Sequence, residues 1–245
     1  MKTFSSEHNR IKHKFHLINK KHWKSDEFDV RYYLIFHLKD VKNKSILDIG
    51  GSEGLVSSEL NKSNFRVVID TNFSSLKTCL IKTDPEINTI CASMVNLPFK
   101  DSCFNIIIHS HTIALAKAMD LKKNPVFNSK NHKFYVVNET LSDAKRVLTK
   151  NGNIYLTTAN AAYYGRGKFT FDELNNVLKI FEKVKIMFYN TYPKNENRMF
   201  SISHVFPKIK SKFVNEDKII IDLMKKKSNN NFSKYFFCIC SKLKE

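Results

Sequence analysis

Gly50, Gly51 and Gly54 are three of the chain's six glycines, and they fall within five positions directly behind the apolar run Ser45-Ile46-Leu47-Asp48-Ile49. Glycines clustered at a strand end mark a turn that uses positive φ and lets a ligand come close to the backbone; a tight strand-to-helix connection is the plainer reading. The spacing excludes two phosphate-binding turns. A dinucleotide fingerprint counted from Gly50 wants glycine where Ser52 and Leu55 stand, and no Gly-Lys-Ser or Gly-Lys-Thr is present for a P-loop. An acid, Asp48, comes two residues before Gly50, and Asp70 comes twenty residues after it, closing the run Phe65 to Ile69. A carboxylate at that place accepts hydrogen bonds from both hydroxyls of a ribose. Alone, such an Asp is more often a turn or cap residue; its register with the glycine turn favours the sugar.

Two further groups have side chains suited to chemistry. His109, Ser110 and His111 follow the apolar run Phe104 to Ile108, and Asn160, Tyr163 and Tyr164 follow Asn153 to Thr158. An imidazole titrates near neutral pH, so His111 or His109 is a candidate base for a hydroxyl acceptor, against the alternative of a hydrogen-bonded structural histidine. Tyr163 and Tyr164 are candidates to line an aromatic-friendly acceptor pocket, against ordinary loop packing. No third ligand stands at a supporting spacing from the His-x-His pair, and the five cysteines contain no C-x-x-C, so no metal site is expected.

The elements that must position these residues alternate. Val30, Tyr33, Leu34, His37 and Leu38 predict a helix over Asp26 to Leu38 behind a polar, basic arm. Strand Ser45 to Ile49 leads through the glycine turn into a helical rhythm over Leu55 to Leu60. Strand Phe65 to Ile69, a helix through Ser74 to Ile81 and strand Ile87 to Ala92 follow. Phe104 to Ile108 reads as a strand buried on both faces of a parallel sheet. A helix over Phe134 to Leu148 turns at Lys150-Asn151-Gly152 into strand Asn153 to Thr158. Thr170-Phe171-Asp172-Glu173 is a capping box that opens another helix. Val184 to Tyr189 and Lys234 to Cys240 read as strands, and Lys208 to Asn231 is basic and ambiguous. Strands alternating with helices imply a parallel sheet whose ligand edge collects every loop named above.

The segment Ile46-Leu47-Asp48-Ile49-Gly50-Gly51-Ser52-Glu53-Gly54 resembles the first motif of class I S-adenosylmethionine-dependent methyltransferases, with Ser52 in place of the middle glycine. Ser93-Met94-Val95-Asn96-Leu97-Pro98-Phe99 and Phe104-Asn105 are similar to a segment of the subgroup that includes quinone-biosynthesis methyltransferases. There Ser93 and Asn105 replace acids. Ala144-Lys145-Arg146-Val147-Leu148-Thr149-Lys150-Asn151-Gly152 is similar to a turn of the same subgroup. The resemblance covers roughly residues 45 to 185. It implies a Rossmann-like, doubly wound α/β fold: a mostly parallel seven-stranded sheet, helices on both faces and an antiparallel final strand. It also implies S-adenosyl-L-methionine as cofactor, held by Asp48, Gly50, Gly51, Ser52, Gly54, Asp70, Thr71, Ser93, Met94 and His109. Residues 1–40 would form an arm and lid helix, and 41–245 one methyltransferase domain.

Composition bounds the rest. At 245 residues, 42% hydrophobic and 26% charged, the chain reads as globular and large enough for one α/β domain. No apolar stretch is long enough to span a membrane, and no secretory leader is visible, so a cytoplasmic protein is expected. The net charge of +18 raises RNA as a partner. It comes mostly from lysine, however, and compositional bias produces the same number. The leading reading is methylation of a small-molecule acceptor. The alternatives are an RNA methyltransferase whose arms Lys12 to Lys24 and Lys208 to Lys227 track phosphates, and a cofactor-binding protein of this fold without catalysis. Oligomeric state is not legible.

Overall fold

The computed structural model describes residues 9–14, 25–123, 134–164, 167–191 and 233–242. The basic span Lys208 to Asn231 and most of the Lys12 to Lys24 arm lie outside them. Seven strands, β1 (Ser45–Ile49), β2 (Phe65–Asp70), β3 (Asn88–Cys91), β4 (Phe104–Ser110), β5 (Leu148–Ala159), β6 (Lys183–Thr191) and β7 (Ser233–Ser241), form one sheet. Its order is β3-β2-β1-β4-β5-β7-β6. Every pair from β3 to β5 is parallel, and β7 runs antiparallel to both β5 and β6. The expected Rossmann-like sheet is therefore present, closed by an antiparallel last strand. Among the described residues no helix is long and apolar enough to cross a membrane.

Alternation along the strands divides the core into two layers. Leu47, Ile49, Ile107, Ile154 and Leu156 face α3 (Thr112–Lys123), α4 (Tyr135–Val147) and α6 (Phe171–Leu178). On the other face Ile46, Ile106, Ile108 and Phe237 meet α1 (Ser25–Leu38) through Val30, Leu34, Ile35 and Leu38. His37 of α1 stacks on Phe237 with ring centroids 4.9 Å apart. Helix α1 is thus a layer of the core, and the short α2 (Phe73–Thr78) follows β2. The helix over residues 9–14 sends Arg10 and Lys14 to Glu59 at 2.9 and 2.6 Å.

Three elements differ from the sequence reading. Leu55 to Leu60 forms only a 3-10 turn, Ser57–Glu59, and Leu60 is already extended, while the Ser57 hydroxyl donates to Asp48. The stretch after β4 contains helix α3, which begins at Thr112 because His111 takes a φ of 62° and breaks the strand direction. Lys150 to Gly152 does not turn a helix into a strand. It bulges within β5, and the pairing jumps from Phe104 with Leu148 to Ile106 with Asn153. The capping box at Thr170 is present in both directions, with the Glu173 amide donating to Thr170 Oγ1 at 3.2 Å and the Thr170 amide donating to Glu173 Oε2 at 2.8 Å.

Candidate active site

The glycine turn leaves β1 and is pinned to β2. The Gly50 and Gly51 amides donate to the Ile69 carbonyl at 2.8 and 3.2 Å. Gly50 and Gly54 have φ of 68° and 67°, values that cost an L side chain about 1–2 kcal/mol. A Cβ at Gly50 would lie 2.1 Å from Thr112 Cγ2, one at Gly51 2.7 Å from Asp48 Cγ, and one at Gly54 2.4 Å from Cys79 Sγ. Glycine here lets the turn lie down on the protein's own side chains, and its amides are held within the fold, that of Gly54 donating to the Gly51 carbonyl at 2.9 Å. Ser52, which stands where the motif has its middle glycine, keeps the glycine-like backbone at φ 53°.

Asp48 sits beneath this turn, 1% exposed. Its Oδ2 accepts from Ser57 Oγ at 2.8 Å, and its Oδ1 has no partner. Burial pushes its carboxyl up to about 6, against the pull of the Ser57 hydrogen bond and the Arg31 charge. A buried carboxylate oxygen left open is costly unless a cation or donor meets it. The turn and this oxygen therefore suit the ammonium end of an amino-acid ligand.

Asp70 ends β2. Its two oxygens accept from the Ser52 amide at 3.1 Å and the Asn72 amide at 2.8 Å. The carboxylate is so held at the mouth of the glycine turn, with lone pairs to spare. Thr71 beside it is exposed. On the next loop Ser93 is exposed and its Oγ accepts from the Val95 amide at 3.2 Å, while Met94 is half-buried against the core. Sequence reasoning missed what shapes this loop. Arg146 Nη1 donates to the Phe99 carbonyl at 2.7 Å and Nη2 to the Leu97 carbonyl at 3.0 Å, while Asp143 accepts from the Leu97 amide. Asn105, in place of an acid, accepts from the Ser45 amide at 3.0 Å and so anchors the start of β1.

The two histidines part company. His109 lies on the α3 and α4 face, fully buried, and burial lowers its imidazole to about 4. His111 lies at the end of the sheet, where its amide donates to the Thr157 carbonyl at 3.0 Å. Burial first, and then the cations Arg31 and Lys168, lower its imidazole to about 3. Its ring meets Tyr235 edge-on at 5.4 Å, and Tyr164 Oη donates to Tyr235 Oη at 2.5 Å. Tyr235 is a residue that sequence reasoning missed; it arrives from the far end of the chain on β7, with no local motif to mark it. Tyr163 lies on the short helix α5 (Ala161–Tyr164), and its side chain lies outside the described part. Among the described residues no three His, Cys, Asp or Glu side chains gather as metal ligands.

A parallel sheet with a glycine turn after β1 and a carboxylate ending β2 defines the Rossmann-like methyltransferase fold. Residues 47–156 match the family model described as a methyltransferase domain. Among solved structures, the chain is similar to a SAM-dependent methyltransferase from Thermotoga maritima, at 12% identity, TM-score 0.54, and coverage of 98% of this chain and 96% of that one. It is similar also to N-methyltransferase NodS from Bradyrhizobium japonicum in complex with S-adenosyl-L-homocysteine, at 13% identity, TM-score 0.55, and 76% and 91% coverage. A SAM-dependent methyltransferase from Archaeoglobus fulgidus matches at 18% identity, TM-score 0.50, and 87% and 91% coverage. At these identities the likeness is one of fold. No curated protein matches the chain in sequence.

Proposed function

We propose that this enzyme transfers the methyl group of S-adenosylmethionine to a small-molecule acceptor. In this reading Asp48 and the turn Gly50, Gly51, Ser52 and Gly54 hold the methionine end of the cofactor. Asp70 and Thr71 take the ribose, Ser93 and Met94 the adenine side, and the backbone at His109 the edge of the nucleoside. The bound sulfonium supplies the electrophilic methyl, and the protein supplies alignment and exclusion of water. The observation that carries the reading is the buried Asp48 Oδ1, without a hydrogen-bond partner, under a turn whose left-handed residues let a ligand approach the backbone. The acceptor side lies between the His111 and Tyr164 loops. Aromatic side chains there, and the likeness of Ser93 to Phe99 to the quinone-biosynthesis subgroup, support a small organic acceptor.

Calorimetry with S-adenosyl-L-homocysteine tests this directly. One-site binding is expected, weakened at least ten-fold by Asp48→Asn, whose amide would present a donor to the ammonium. Absence of any binding to the folded wild-type chain would overturn the assignment.

A further inference from the structure

The edge of the sheet on the α1 face carries polar atoms that nothing in the fold uses. Ser110 and Thr157 are direct neighbours across the β4–β5 pairing, so their side chains rise on the same face. Ser110 Oγ and Thr157 Oγ1 are shut from solvent and have no hydrogen-bond partner, and the same holds for His111 Nε2. Thr157 is fully buried. Each such group costs about 1–3 kcal/mol when left unsatisfied. The walls beside them are the Tyr235 ring, edge-on to His111, and Tyr164 hydrogen-bonded to Tyr235. The charges acting on His111 from the surrounding elements are both cationic, Arg31 on α1 and Lys168 ahead of α6. Arg31 acts also on Asp48, which with Asp70 belongs to the glycine turn.

We infer that Ser110, Thr157 and His111 form the floor of the acceptor site and select an acceptor that reacts through a carboxylate, a proposal resting on the methyltransferase reading above. Two hydroxyls and an imidazole N–H donate to carboxylate oxygens. The charge of Lys168 favours an anion and disfavours an ammonium. The reaction then balances without a base: a carboxylate oxygen forms a bond to the methyl carbon while the carbon–sulfur bond breaks, and its electron pair goes to sulfur. The products are a methyl ester and the neutral thioether, and no proton moves. This matters because burial lowers the His111 imidazole to about 3, which makes it a poor base for a phenol or an ammonium, both ordinarily near 10. A carboxylic acid has already lost its proton at neutral pH.

The test uses the full chain with S-adenosylmethionine and three matched acceptor sets: benzoate, phenylacetate and octanoate; benzylamine and octylamine; and phenol. Methyl transfer is followed by mass spectrometry. Binding of each acceptor to the chain loaded with S-adenosyl-L-homocysteine is followed by ligand-observed NMR. Carboxylates are expected to bind and to be methylated in preference to the other sets. Thr157→Val and Ser110→Ala should each lower kcat/KM for the carboxylate at least ten-fold, Thr157→Ser should restore most of it, and affinity for S-adenosyl-L-homocysteine should stay within two-fold. Preferred transfer to an amine or phenol would overturn the inference. So would carboxylates that fail to bind the loaded enzyme, or a Thr157→Val variant that behaves as wild type. Failure of S-adenosyl-L-homocysteine itself to bind would instead overturn the function proposed above.

Discussion

The Ser52 amide donates to the Asp70 carboxylate at 3.1 Å, joining the glycine turn after β1 to the end of β2. One carboxylate thereby shapes the turn and stays available to a sugar. Asp70→Ala removes both roles and should weaken S-adenosyl-L-homocysteine binding more than ten-fold by calorimetry. Asp70→Asn retains an acceptor oxygen for the Ser52 amide, and a smaller loss is expected. Equal affinity in wild type and Asp70→Ala would rule out the ribose assignment.

Gly50 meets two constraints at once, a φ of 68° and the Thr112 methyl 2.1 Å from where a Cβ would stand. Gly50→Ala should cost about 3 kcal/mol or more in urea unfolding, combining the left-handed penalty with overpacking. Thr112→Ser removes that methyl but keeps the Oγ1 donation to the Ile49 carbonyl at 2.7 Å. In the double variant only the backbone term remains, about 1–2 kcal/mol. A fully additive cycle would show that the contact is not the cause.

Ser52 occupies the left-handed region at φ 53° without the freedom of glycine. Ser52→Gly is expected to be stabilising by about 0.5 kcal/mol, the steric relief exceeding the added entropy of the unfolded chain. Ser52→Val, whose branched side chain tolerates this backbone poorly, should be destabilising by more than about 1 kcal/mol. Thermal unfolding of the two variants in parallel reads the sign.

Acid should destabilise the apo-protein in a defined window. His109 and His111 are lowered to about 4 and about 3, chiefly by burial, from an ordinary 6.5. As pH falls below 6.5, the unfolded chain takes up protons that the folded chain refuses, and stability is lost. Asp48, raised to about 6 from 3.8, acts oppositely, since between those values the folded chain holds the extra proton. Two imidazoles against one carboxyl leave a net loss of stability between roughly pH 6 and pH 4, and His37, also lowered by burial, adds to it. Urea midpoints at pH 7 and pH 5 check it, and a midpoint that rises on acidification would contradict these burials.

Arg146 should prove a positioning residue. Its guanidinium holds the Leu97 and Phe99 carbonyls and pairs with Asp143 at 2.6 Å. Arg146→Lys cannot reproduce the fork. It is expected to raise amide exchange across Leu97 to Asp101 and weaken S-adenosyl-L-homocysteine binding several-fold, with circular dichroism unchanged. Unaltered exchange in that loop would disprove the role.

Local sequence determined much of this protein. Three glycines after an apolar run, an acid twenty positions on, and a capping box at Thr170 are short-range signals, because positive φ, strand ends and helix starts are decided by neighbours in the chain. They placed the sheet's parallel half and the turn that follows β1. Tertiary structure decided what depends on distant partners. The 3-10 turn at Ser57 sets its hydroxyl on Asp48 of β1. The bulge at Lys150 to Gly152 answers to pairing with β4, and helix α3 starts where His111 turns the chain. Only the fold set His109 and His111 on different surroundings two residues apart, and only β7 brought Tyr235 against His111 from more than a hundred residues away. Such contacts arise from strand order, which is a property of the whole sheet and leaves no pattern in any one segment.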